Sequence, residues 1–144
     1  MHIEIIDEKD LQDIAVAYME YFNDEGDSWS QEGAYKRLHQ MWSIDDSICL
    51  KAMKENELMG IGMGYLEWFD DGPYFHIFEI LILKKYQNFG IGTLLLKEAE
   101  RIAKEKGAKV ATLEALNDEQ HEHFYGKLGY STNQNLVFKM KKLQ

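Results

Sequence analysis

The run Gln87-Asn88-Phe89-Gly90-Ile91-Gly92-Thr93 lies between an apolar strand pattern, Glu79 to Leu83, and an amphipathic helical pattern that starts at Ile91. Glycines at a strand-to-helix junction free backbone N–H groups to point at an anion, and the positive end of the helix dipole adds to the attraction. In outline this is a phosphate cradle. A nucleotide-binding P-loop would end in Gly-Lys-Ser/Thr, and a dinucleotide fingerprint would need glycine at position 95, where Leu95 stands. Both fail on residues, which leaves an anion cradle of another kind or a plain glycine-rich capping turn.

Downstream of the run, Ile91, Leu94, Leu95, Ala99, Ile102 and Ala103 recur at helical spacing, and Gly107 closes the helix. Lys109 to Leu116 reads as a strand, Asp118 to Leu128 as a short helix closed by Gly129, and Leu136 to Met140 as a last strand. Upstream, Ile48 to Lys54, Leu58 to Phe69 and Tyr74 to Leu83 are strands joined by short turns, hence an antiparallel meander. Gly60, Gly62 and Gly64 share one face of the middle strand, where a helix packs or a ligand approaches. Before the meander, His2 to Ile6 is a strand. Asp7 and Asp10 resemble a cap for a helix with Leu11, Ile14, Ala15, Tyr18 and Phe22 inward, and Ser30 is the N-cap of a second helix. The unit from Tyr74 to Leu116 demands a right-handed parallel crossover, so the sheet is mixed.

The bulk properties narrow the class. A chain of 144 residues, 45% hydrophobic and 28% charged, fits one globular domain spanning residues 1–144. The single cysteine, Cys49, excludes an internal disulfide and Cys-rich zinc clusters, and its strand setting suits a small buried hydrophobe. His121-Glu122-His123 has the wrong helical spacing for a metal pair, so no metal is expected. No run is apolar enough for a membrane helix and Met1 to Asp10 is no secretory signal, so no membrane partner and a cytoplasmic location are expected. The net charge of −9 argues against a nucleic-acid partner. It is unevenly spread. Residues 1–83 carry 5 Lys and Arg against 18 Asp and Glu, a balance of −13, while residues 84–144 carry 11 against 7, a balance of +4.

The junction, taken with its surroundings, resembles the GNAT superfamily of acetyl-CoA-dependent N-acetyltransferases. Gln87, Gly90 and Gly92 match the family's Gln/Arg-x-x-Gly-x-Gly/Ala motif, and Glu79 to Ile82 is similar to its Glu-Ile-aromatic-Val strand. Asn117 followed by Phe124-Tyr125-Gly126-Lys127-Leu128-Gly129-Tyr130 is similar to its Asn…Phe-Tyr-x-Lys-Leu-Gly-Phe signature, and Leu136 to Met140 fits its last strand. The proline common before the Gln/Arg is replaced by Lys84-Lys85. The resemblance implies an α+β fold: a mixed, mostly antiparallel sheet of six to seven strands with about four helices, ordered β-α-α-β-β-β-α-β-α-β-β. It implies acetyl-CoA as cosubstrate. Backbone N–H groups of Gln87, Asn88, Phe89, Gly90, Ile91, Gly92 and Thr93 would hold the pyrophosphate. The backbone of Leu81, Ile82 and Leu83 would pair with the pantetheine arm, Asn117 would hydrogen-bond that arm, and Tyr125 would stand near the thioester sulfur. Lys84 and Lys85 are further candidates for CoA phosphates.

Amine acetylation explains why such residues are needed. An aliphatic ammonium with pKa near 10.4 supplies roughly one neutral molecule in 2,500 at pH 7, a cost of about 4.6 kcal/mol. A carboxylate that takes the proton, directly or through water, lowers that cost. Glu79 interrupts the apolar run Ile77 to Leu83 and is the expected base, with a pointing-to-solvent carboxylate as the alternative. Tyr125 is the expected donor to the leaving thiolate, with core packing as its alternative. The acidic residues Asp24, Glu25, Asp27, Asp70 and Asp71 suggest a cationic or amine-bearing acceptor, small molecule or protein. The rival function is an acetyl-CoA-binding sensor without catalysis. Edge strands would also allow pairing of two copies as a homodimer.

Overall fold

The computed structural model describes all 144 residues and shows two compact units, Met1–Glu114 and Ala115–Gln144. The first unit holds β1 (His2–Ile5), α1 (Leu11–Asp24), α2 (Gln31–Ser43), β2 (Ser47–Lys54), β3 (Glu57–Phe69), β4 (Gly72–Ile82), α3 (Ile91–Glu105) and β5 (Ala111–Leu113). Its single sheet runs β1-β2-β3-β4-β5, antiparallel throughout except for the parallel pair β4 and β5. The second unit carries α4 (Glu119–Lys127).

Local signals placed the helices. Ser30 Oγ accepts the Gly33 N–H at 2.9 Å and opens α2, while Asp10 Oδ2 accepts the Asp7 N–H at 2.8 Å in a short 3-10 turn ahead of α1. The side chain of Asn23 then bridges the α1–α2 loop, accepting from the Trp29 N–H at 2.6 Å and donating to its carbonyl at 2.9 Å.

One layer of the core lies between α1, α2 and the sheet, where Tyr18, Leu38, Met41, Cys49, Ile61, Met63 and Leu81 are buried together. On the opposite face α3 buries Ile91, Leu95, Leu96, Ala99 and Ala103. The three alternating glycines of β3 face α3: a Cβ on Gly62 would lie 3.7 Å from Leu95 Cβ. The buried stripe of the helix keeps four of the six expected residues but widens on the other flank, since Leu96 is buried and Leu94 is 45% exposed. Residues four apart, Ile91, Leu95, Ala99 and Ala103, keep one stripe, and Gly92 and Leu96 extend it on the other flank.

The sheet is smaller than expected. It has five strands instead of six to seven, and the order ends at α4 without the two final strands. Leu136 to Met140 forms no strand, and Phe138 is 76% exposed. A strand persists only where its backbone groups find a ladder partner, and none is paired there. The strand expected over Lys109 to Leu116 is likewise shortened to the three residues that pair with Phe75, His76 and Ile77.

Candidate active site

The site begins with an irregularity in β4. Met63 pairs with Glu79, yet the next residue of β3, Gly64, pairs with Ile77, so Phe78 is an extra residue in β4. This β-bulge reverses the alternation of faces. Before it, His76 and Phe78 share a face with Tyr65, whose ring stacks on Phe78 at 5.1 Å. After it, Glu79 lies in a cross-strand row with Met63 and Cys49, on the side of the sheet covered by α1 and α2. Phe78 and Glu79 therefore present consecutive side chains to one face.

The Glu79 side chain is only 12% exposed. Two groups meet its Oε2: Tyr18 Oη from α1 at 3.4 Å and Arg37 Nη2 from α2 at 3.3 Å. Arg37 Nε donates to Tyr18 Oη at 3.0 Å, which closes a three-membered ring of polar contacts. Burial pushes the Glu79 carboxyl above the usual glutamate range, against the opposing pull of the Arg37 charge and the Tyr18 hydrogen bond. Burial, with the neighbouring Glu79 charge, also pushes the Tyr18 phenol up to about 12. Tyr18 thus remains a neutral hydroxyl that donates at physiological pH. No buried side-chain oxygen lacks a hydrogen-bond partner, so Oε1 of Glu79, which has none, reaches solvent.

The helix α3 starts at Gly90, whose φ of +79° is left-handed and whose position carries no side-chain cap. A Cβ at Gly90 would meet nothing within 4 Å, so the glycine serves backbone conformation and not close packing. Asn88, at φ +69°, is also left-handed. The first N–H groups of an α-helix have no intrahelical acceptor. Those of Ile91, Gly92 and Thr93 therefore converge on the space before the helix, with Phe89 74% exposed beside them. An anionic diphosphate fits this end by charge and by donor geometry. Gln87 differs from its neighbours: its N–H donates to the Lys84 carbonyl at 3.3 Å, and its Nε2 donates to the Ile82 carbonyl at 3.0 Å and to Tyr21 Oη at 3.2 Å. It ties the loop to β4 and α1.

The edge of β4 that faces β5 is paired only from Phe75 to Ile77, which leaves Phe78 to Ile82 open on that side. Leu83 donates to the Met59 carbonyl at 3.0 Å, and by alternation Leu81 also points its backbone groups at β3. Of Leu81, Ile82 and Leu83, Ile82 presents its N–H to the open edge.

Asn117 precedes α4 in the second unit, and Asp118 caps that helix by accepting the His121 N–H at 2.8 Å. Tyr125 is half-buried, edge-on to Phe124 at 4.9 Å and to Tyr130 at 6.0 Å. Lys84 is held by Asp24 and by Glu25, the latter at 3.3 Å, and Lys85 by Glu57 at 2.9 Å. These lysines already have carboxylate partners, and the acidity of the α1–α2 loop is partly neutralised. No group of His, Cys, Asp or Glu is placed to hold a metal ion, and no helix is long and apolar enough to cross a membrane. A groove of about 530 Å³ between the second half of α3 and the start of β5, lined by Ala103, Lys104 and Val110, contains none of Glu79, Tyr18, Arg37 and the residues from Gln87 to Thr93.

An open strand edge, a glycine-opened helix start and a shielded carboxylate on a bulge thus occur together in the first unit. The profile of the Acetyltransferase (GNAT) family matches residues 11–130, and the chain belongs to that family. A putative acetyltransferase of Bacillus subtilis is 42% identical over 54 residues, a match spanning 38% of this chain and 35% of the relative. That stretch is about a third of the relative's length. Among solved structures, a probable acetyltransferase superposes with a TM-score of 0.83 at 17% identity, covering 100% of this chain and 99% of the other. An aminoglycoside acetyltransferase from an uncultured soil metagenomic sample, solved with sisomicin, superposes with a TM-score of 0.79 at 20% identity, covering 99% and 96%.

Proposed function

We propose that the chain is an N-acetyltransferase, working as one functional domain, that moves the acetyl group of acetyl-CoA onto a primary amine of a small-molecule or protein acceptor. The observation that carries this reading is Glu79: a shielded carboxylate with raised proton affinity, one oxygen held by Tyr18 and Arg37 and the other open to solvent. The amine nitrogen attacks the thioester carbonyl, the carbon–sulfur bond breaks, and Glu79 Oε1 takes the ammonium proton directly or through one water. A carboxyl with raised pKa is a better match for that proton than an ordinary glutamate. The open N–H groups from Asn88 to Thr93 hold the CoA diphosphate, and the free edge at Ile82 takes the pantetheine arm as an added strand. Asn117 and Tyr125 carry, by resemblance to the family signature alone, the expected roles of support for that arm and donor of the hydroxyl proton to the thiolate, the phenol regaining its proton from solvent.

The acceptor is an amine of cationic character. The −13 balance of residues 1–83 supports this, as does the aromatic cluster in which Tyr18 lies 4.6 Å from Phe22 and 5.5 Å from Trp29. Similarity in fold to a protein solved with sisomicin makes aminoglycosides reasonable probes. The test is free-thiol release from acetyl-CoA with spermidine, sisomicin and a lysine peptide, using wild type and Glu79→Gln. Turnover of at least one amine, reduced 100-fold or more in the variant, supports the reading. Binding of acetyl-CoA with no transfer to any amine points to a sensor instead.

A further inference from the structure

The proton acceptor proposed above has two oxygens in unequal settings, and the inequality comes from residues that no motif assigns. Tyr18 Oη at 3.4 Å and Arg37 Nη2 at 3.3 Å both address Oε2, and neither addresses Oε1. The two donors are themselves joined at 3.0 Å, so each limits the rotation of the other. They come from different helices, and Glu79 from the sheet, so the contact is set by the packing of three elements. Arg37 is 43% exposed and Glu79 12%, which places the cation at the mouth and the carboxylate beneath it.

We propose that Arg37 is a positioning residue for this reaction: together with Tyr18 it pins Oε2 of Glu79 and reserves Oε1 for the acceptor's proton. The proposal rests on the reading of Glu79 as proton acceptor. A carboxylate rotating freely about its last torsion would present either oxygen in a shifting direction. Held at Oε2, it presents Oε1 in one direction and leaves no other site for the proton to go. The cation also opposes the rise in proton affinity that burial imposes on Glu79. Arg37 is the one charged group acting on the carboxyl. The other titratable groups on that face are Tyr18 and Tyr21 from α1, Tyr35 from α2, Cys49 from β2, Tyr65 from β3 and His76 from β4; burial pushes the Tyr18 phenol up to about 12 and the Cys49 thiol up to about 11, so those two are neutral.

The test is a pH titration of the full chain carrying 13C-labelled glutamate carboxyls, followed by NMR in wild type, Arg37→Gln, Arg37→Lys and Glu79→Gln. The resonance missing from Glu79→Gln belongs to Glu79. Its midpoint should rise in Arg37→Gln by about one pH unit or more, a tenfold gain in proton affinity, and return most of the way in Arg37→Lys. The acid limb of the kcat/KM profile, measured with the panel amine turned over fastest, should move by the same amount while KM for acetyl-CoA holds. An unmoved midpoint in Arg37→Gln, with transfer lost in Glu79→Gln, overturns this proposal alone. Full transfer by Glu79→Gln overturns the proton-acceptor reading and this proposal with it. Arg37 is too exposed for its replacement to open the core, and Arg37→Lys keeps a cation should Arg37→Gln fold poorly.

Discussion

Gly64 and Gly62 look equivalent in the sequence, two steps apart on one face of β3, yet a single added methyl should separate them sharply. A Cβ on Gly64 would stand 2.5 Å from the His76 carbonyl oxygen and 2.6 Å from a ring carbon of Phe75, opposite the bulge that aims Glu79. Backbone cannot yield as a side-chain tip can, so β3 and β4 must part. Overpacking of this kind costs about 1–3 kcal/mol, and contact with main chain argues for the upper half of that range. At about 2–4 °C per kcal/mol for a chain near this size, Tm falls by roughly 5–10 °C. The same methyl on Gly62 would meet only Ile80 Cδ1 at 3.2 Å and Leu95 Cβ at 3.7 Å. The Ile80 tip can move, and the chain gains the roughly 0.5–1 kcal/mol by which alanine exceeds glycine in a strand. Gly62→Ala should therefore stay within about 1 kcal/mol of wild type. Urea unfolding and calorimetric Tm of both variants decide it, with turnover expected to drop only for Gly64→Ala because Glu79 is displaced. Equal stabilities for the two variants would refute the bulge geometry.

Other substitutions probe separate parts of the account. Glu79→Gln should match or exceed wild-type stability at pH 7: a carboxyl whose folded pKa is raised favours folding only below its unfolded pKa, and that advantage is lost as pH rises through the folded pKa. The stability difference between variant and wild type should vanish toward pH 4, and urea midpoints across pH 4–8 read it. Gly90→Ala should cost about 1–2 kcal/mol from the left-handed backbone alone, since its Cβ meets open space, and calorimetry should show weaker acetyl-CoA binding. Cys49, buried and with its thiol pushed up to about 11, should resist a thiol reagent in the native chain at pH 8 and react at once in urea; fast native labelling would contradict its place in the core.

Much of the frame was legible because its signals are local. The Ser30 cap, the Gly90 turn and the meander rest on residues within a few positions of one another, and each formed as expected. The Phe78 bulge carries no sequence mark: Ile77 to Leu83 reads as an apolar strand interrupted only by Glu79, and only pairing with β3 shows that Phe78 and Glu79 share a face. Arg37 and Tyr18 were missed for a related reason. Tyr18 fits an apolar helical stripe and Arg37 a solvated one, and they meet Glu79 across 61 and 42 residues of chain. The apolar run Leu136 to Met140 shows the converse, since strand-like composition without a ladder partner forms no strand.

The measurement that bears most directly on the account is a calorimetric titration of the whole chain with acetyl-CoA. The open amides ahead of α3 and the free edge of β4 predict one site per chain with micromolar affinity, weakened by salt as the diphosphate contact is screened. Neither heat nor thermal stabilisation at millimolar acetyl-CoA would contradict it.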